Sequence, residues 1–185
     1  MEAKRLKTRD DLEAAWLDGD RFELINGEIV KRPMSRYEHG VIQLEIGGEL
    51  KRLRRIDGPG GWWFATEVSV CYNEHHTPTH DIAGWRKERL PQEPTGVVQT
   101  TPDWVCEIVS KGHERKDTVH NFLNLQRYQV PHYWLIWPEE RVLIAYKLVG
   151  SKYAVIESIE GGGMANIEPF TEIELDLGYI LGGSR

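Results

Sequence analysis

Apolar and polar residues alternate most clearly in "RFELINGEIVKRP". Asn26-Gly27 sits at its centre, as a type I′ turn requires, so the stretch predicts a β-hairpin with Phe22, Leu24 and Ile29 toward the core. Before it, Asp10 to Gly19 has the spacing of a short helix, with Leu12, Ala15 and Trp16 on one side. After it, Ser35 to Ile56 predicts a long helix. Ser35 and Glu38 resemble a capping box, and Val41, Leu44, Leu50 and Leu53 recur on one face. "DGPGG" breaks the chain, and three strands follow in "WWFATEVSVCYN", "THDIAGWR" and "DWVCEIVS". Between the last two, "KERLPQEPTGVVQTTP" reads as a surface loop. A second helix runs from about Glu114 to Gln129, with Val119, Phe122, Leu123 and Gln126 on one face. "HYWLIWP", "RVLIAYKLV" and "KYAVIES" predict further strands, "GGG" at 161–163 a turn, and "IEPFTEIELDLGYIL" a short last strand. Hairpin, helix, three strands, helix and strands make an α/β (α+β) arrangement around one mixed sheet.

A length of 185 residues, 40% hydrophobic and 28% charged, suits one globular domain over 1–185. No apolar run reaches membrane length, and "MEAKRLKTRDDLEAAW" lacks an apolar signal core, so the protein reads as cytoplasmic. Cys71 and Cys106 make neither a disulfide framework nor a thiolate metal site. A net charge of −6 argues against a nonspecific nucleic-acid coat protein but leaves room for a local basic patch. "KRLRR" at 51–55 would complement a helix C-terminus, and "WRKER" at 85–89 would track a phosphate backbone.

Three acids stand in strand-like, apolar surroundings: Glu67, Asp81 and Glu107. Glu107 is flanked by Val105, Cys106, Ile108 and Val109, where an unpaired carboxylate would cost several kcal/mol. Alternation places Asp103, Val105, Glu107 and Val109 on one side of their strand and Trp104, Cys106 and Ile108 on the other. If the three strands are neighbours, the three acids converge on a hard cation such as Mg²⁺ or Mn²⁺, which would activate water for attack on a phosphoryl group. Taken singly, each acid would equally cap a turn or pair with an arginine. His75, His76 and His80 with Asp81 form a rival zinc set, although "NEHHTPTH" has the composition of a polar loop and no fixed ligand spacing. His39 lies at the polar–apolar border of the first long helix, facing either the acids or the boundary.

In order and spacing, "FELINGEIV", "EHGVIQLEIGGEL", "HDIAGWRKERLP", "PDWVCEIVS" and "KDTVHNFLNLQRYQVPHYWLIWPEE" together resemble the Uma2 family, also called DUF820, over nearly the whole chain. The resemblance implies a PD-(D/E)xK, restriction-endonuclease-like fold: a mixed central sheet flanked by helices, with the hairpin at its N-terminus. It makes Asp81 the motif aspartate and Glu107 the metal-binding acid of the next strand, and matches Glu67 to an acid often found just upstream. It implies Mg²⁺ or Mn²⁺ as cofactor and DNA as substrate, with a homodimer left open.

Two positions depart from the family pattern. His80 replaces the proline before the motif aspartate. The family's lysine falls either two residues after the acid, where this chain has Val109, or on the second helix, where it has Asn121. Asp117 and Asn121 share a helical face, while Lys111 and Lys116 are the nearby substitutes. The sequence therefore supports a metal-dependent DNA endonuclease using Glu67, Asp81 and Glu107 with Asn121, Lys111 or Lys116. The rival is a nuclease-fold module that binds nucleic acid or protein without cleaving, a reading the pI near 5.7 favours. A small acid-rich metalloprotein with another substrate is the third class.

Overall fold

The computed structural model describes residues 5–18, 21–32, 34, 36–110 and 116–182. Helix α1 (Arg9–Trp16) leads into the hairpin β1 (Phe22–Ile25) and β2 (Glu28–Lys31). Its turn is left-handed at both Asn26 (φ 50°) and Gly27 (φ 81°), as type I′ demands. Helix α2 (Tyr37–Arg54) precedes β3 (Trp62–Ser69), β4 (Thr79–Arg86) and β5 (Trp104–Ile108). A stretch of π-helix (Lys116–Asn121) passes directly into α3 (Phe122–Arg127). Strands β6 (His132–Trp137), β7 (Val142–Val149) and β8 (Lys152–Glu160) follow, then β9 (Met164–Ala165), β10 (Leu175–Asp176) and α4 (Leu177–Ile180).

The central sheet has six strands in the order β3-β4-β5-β6-β7-β8. Only β5 and β6 are parallel, because the helical segment 116–127 carries the chain back between them; the other pairs are antiparallel. Both faces of the sheet are covered. On one, Ile42, Ile46, Leu50 and Leu53 of α2 pack with Trp62, Trp104, Cys106, Ile108 and Trp134, and with Phe170 and Leu177 from the C-terminal segment. On the other, Ala83, Trp85, Val105 and Val109 pack with Leu125, Val130 and Tyr133. The alternation expected in β5 is therefore present. Gly84 admits no larger residue without rearrangement, since a Cβ there would stand 2.9 Å from the Phe64 ring and 3.3 Å from Trp104.

Two helix faces differ from expectation. Leu50 and Leu53 are buried as expected, but Leu44 is 72% exposed, and Ile42 and Ile46 complete the buried row. That row follows the i, i+4, i+8, i+11 line, which is the wider stripe a sheet requires. On the second helix Val119 and Leu123 are exposed, while Asn121, Asn124 and Leu125 are buried. The π-helical stretch rotates the chain so that two asparagines face inward. Ser35 and Glu114, the expected starts of the two helices, lie outside the described residues. Helix α2 has Arg36 at its N-cap, with no side-chain cap bond.

These packing assignments fix an order of sensitivity. Ile46→Ala should lower unfolding free energy by about 2–5 kcal/mol and Leu44→Ala by less than about 0.5 kcal/mol. Equal losses in urea titrations would contradict the burial of the Ile46 row.

Candidate active site

Glu67 has a left-handed backbone (φ 51°), which few glutamates adopt. Strands β3 and β4 keep one register on either side of it, Thr66↔Ile82 and Val68↔His80, but the ladder skips Glu67 and Asp81. Trp63 lies on the second face of the sheet, and so do Val68 and Val70. Strict alternation would separate Trp63 from Val68, so the sides exchange at Glu67, and its carboxylate reaches the α2 side. The β4–β5 ladder likewise ends at Ile82↔Cys106. Beyond that point side chains replace backbone pairing. Asp81 N–H donates to Glu107 Oε2 at 3.3 Å, and Ile108 N–H donates to Asp81 Oδ2 at 2.8 Å. The acids thus fill the gap where three strands part.

Four side chains enclose Glu67 and Asp81. Arg32, just after the hairpin, places Nη1 2.6 Å from Glu67 Oε2 and Nη2 3.7 Å from Asp81 Oδ1. Gln43 donates to Glu67 Oε1 at 2.8 Å and to the Asp81 carbonyl at 3.1 Å. Arg21 stands 4.0 Å from Glu67 at the rim. His39, four residues before Gln43 on the same face of α2, has Nε2 3.3 Å from Asp81 Oδ1 and 3.9 Å from Glu67 Oε1. Neither ring nitrogen of His39 has a hydrogen-bond partner among the described residues, although both are buried.

Glu107 stands beside this group and turns the other way. His80 Nδ1 meets its Oε1 at 2.6 Å, and Asn121 Nδ2 donates to the same oxygen at 3.3 Å. His80 Nε2 is 2.9 Å from the Tyr72 hydroxyl. With Glu107 ionised, Nδ1–H donates to the carboxylate and a neutral ring accepts from Tyr72 at Nε2. His80 thereby gains a role that a proline there would lack.

Electrostatics follow from this packing. Burial pushes the Asp81 carboxyl up, but His39, the Ile108 N–H and Arg32 outweigh it and hold the group below its ordinary value. Burial pulls the His39 imidazole down, and Asp81, Glu67 and Glu107 outweigh that and raise it. Clustered carboxylates repel and would raise one another, but at Asp81 the Arg32 and His39 cations counter that effect.

Glu67 and Asp81 come together, then, with His39 as third member. Among the described residues these three offer ligand atoms all within 4.8 Å of one another. Two carboxylates and an imidazole could hold a divalent cation, and the ring nitrogens of His39, which make no hydrogen bond among the described residues, fit a ligand role. Asn121 lies at Glu107, not at Asp81. Lys111 lies outside the described residues, as does the side chain of Lys116. The three loop histidines form no cluster with Asp81: His75 meets the Lys7 carbonyl, His76 the Asn26 N–H, and His80 Glu107. The cations at 86–89 are engaged in the fold. Arg86 covers the Trp62 ring, Lys87 is buried against the Arg54 carbonyl, and Arg89 pairs with Asp103. Arg32 and Gln43 were not singled out in the sequence. Gln43 carries a usable signal, its four-residue spacing from His39, whereas Arg32 carries none.

The arrangement is that of a nuclease-fold protein: a mixed sheet whose parting strands hold the acids. The chain belongs to the Uma2 family, whose model, described as "Putative restriction endonuclease", matches residues 10–178. A solved structure described as a putative nuclease belonging to DUF820, from Anabaena variabilis ATCC 29413, shares the fold with a TM-score of 0.70. It is 22% identical, and the match covers 94% of this chain and 97% of that one. A search of the curated proteins finds no match. No helix among the described residues is long and apolar enough to cross a membrane.

The Asp81–His39 pair gives a pH signature in metal-free protein. Asp81, depressed from 3.8, contributes stability above that value and loses it as pH falls further. His39, raised from 6.5, contributes fully below 6.5 and loses its share as pH rises through the folded value. Asp81→Asn should therefore lower the melting temperature most between about pH 4 and 6.5. It should also flatten the decline on the alkaline side. Parallel wild-type and Asp81→Asn melting profiles across that range would contradict the pairing.

Proposed function

We propose that this protein is a metal-dependent nuclease that hydrolyses phosphodiester bonds in DNA. The observation that carries the reading is the meeting of Glu67, Asp81 and His39 at the gap between β3, β4 and β5. A divalent ion there would supply a Lewis acid, an acidified water and compensation for phosphate charge. Asp81 and Glu67 would hold it through carboxylate oxygens, with His39 as the nitrogen donor. Glu107 is fixed by His80 and Asn121 and backs Asp81 through its N–H. It would act at one remove, holding the Asp81 backbone in place for the ion. Asn121 would steady Glu107 through its amide. Water adds in line at phosphorus, the bridging P–O bond breaks, and the departing oxygen takes a proton, leaving a phosphate monoester and a free hydroxyl.

A second reading has an observation of its own. By the family resemblance Asn121 falls where many members carry lysine, and an amide supplies no positive charge to the phosphate. On that reading the chain is a nucleic-acid- or protein-binding module that has lost catalysis.

Cleavage assays on plasmid and single-stranded DNA with Mg²⁺ and Mn²⁺ separate the two. The nuclease reading predicts metal-dependent nicking lost in Glu107→Ala and Asp81→Ala. If nothing replaces the lysine, Asn121→Lys should raise the rate by roughly 100- to 1000-fold. If Lys111 or Lys116 has taken over, wild-type cleavage should be readily measured and should vanish when that lysine becomes Met. No cleavage by the wild type or by Asn121→Lys would leave only the binding module.

A further inference from the structure

Arg32 is placed where a cofactor ion would need to be. Its guanidinium spans Glu67 and Asp81, the two carboxylates of the group that also contains His39, and its side chain is 12% exposed. An ion within about 2.0–2.6 Å of those oxygens would press against a positive charge already seated on them. Arginine does not escape the conflict by losing its proton. It has to let go.

The guanidinium is also incompletely used. Nε is buried with no hydrogen-bond partner among the described residues, although Nη1 and Nη2 reach carboxylates. The edge formed by Nε–H and one Nη–H is the fork that grips two oxygens of a phosphate. Arg32 stands just after β2, outside the central sheet, with its backbone N–H on the Arg21 carbonyl. Arg21, 54% exposed, is 4.0 Å from the same Glu67 oxygen and marks the solvent side of the cluster as basic.

We propose that Arg32 is a displaceable counter-cation, which holds Glu67 and Asp81 together until a divalent ion enters and then grips a phosphate of the bound nucleic acid. This rests on the metal-dependent nuclease reading and adds a residue and a coupling to it. Metal frees the guanidinium for phosphate, and phosphate withdraws it from the metal's ligands. The two bindings are then cooperative, and reciprocally so. The arrangement also supplies the positive charge that Asn121 does not.

The test uses the full chain and two readouts that need no turnover. Mn²⁺ affinity is measured by calorimetry for wild type, Arg32→Gln and Arg32→Lys. Affinity for a short DNA duplex is measured by fluorescence anisotropy with and without Ca²⁺. Arg32→Gln keeps donors but drops the charge, and should bind Mn²⁺ at least about tenfold more tightly than wild type. Arg32→Lys should stay near wild type. Ca²⁺ should tighten wild-type DNA binding at least about fivefold, and that gain should be absent in Arg32→Gln. If Arg32→Gln is too unstable to titrate, its melting temperature should rise more on Mn²⁺ addition than that of wild type. Equal Mn²⁺ affinities, or equal melting shifts, overturn the role of Arg32 while leaving a metal site intact. Failure of Mn²⁺ to bind any of the three proteins removes the metal site itself, and this inference with it.

Discussion

Three carboxylates at the point where β3, β4 and β5 part are the constraint on which this structure turns. Burying such charge without compensation is costly, and here every oxygen of Asp81 and Glu67 is met by a donor or a cation. Ile108 N–H takes one oxygen of Asp81, while Arg32 and His39 approach the other. Gln43 and Arg32 divide the two oxygens of Glu67. The left-handed backbone at Glu67 is the strain accepted to bring its carboxylate to this side, of the kind that accumulates at functional sites. Where the β4–β5 ladder stops, Asp81 and Glu107 complete it through backbone N–H groups.

The rest of the fold holds that gap rigid. The two-faced core fixes the sheet, and α2, packed through Ile42, Ile46 and Leu50, delivers His39 and Gln43 from one helical face. From the opposite side the segment before α3 delivers Asn121, and β4 delivers His80 and Asp81 in succession. His80 turns toward Glu107 and Asp81 toward His39, and the two divide the cleft into two halves. One half holds the carboxylates and Arg32. The other is a chain of Tyr72, His80 and Glu107 that ties the acid of β5 into the core.

Much of this was legible beforehand. Asn26-Gly27 and the alternation around it fixed the hairpin, and "THDIAGWR" marks β4 to its ends because Gly84 and the apolar run leave no other reading. The carboxylates were legible for the same reason: an acid in an apolar strand demands an explanation. Helix faces were less so. Helix α2 is apolar at Val41 and Leu44 as well as at Ile42 and Ile46, and tertiary packing, not periodicity, selects the second row. The expected face of the second helix, Val119, Phe122, Leu123 and Gln126, did not include Asn124 and Leu125, which the π-helical stretch turns inward with Asn121. Arg32 was invisible because its partner Glu67 lies 35 residues away, joined only by the return of the hairpin to the sheet.

Mn²⁺ soaked into crystals and located by its anomalous scattering tests the central claim most directly. A metal site here places a peak within about 2.0–2.6 Å of carboxylate oxygens of Asp81 and Glu67, with His39 turned toward it and Arg32 withdrawn. A well-occupied Mn²⁺ elsewhere on the protein, with Arg32 still spanning Glu67 and Asp81, would contradict it.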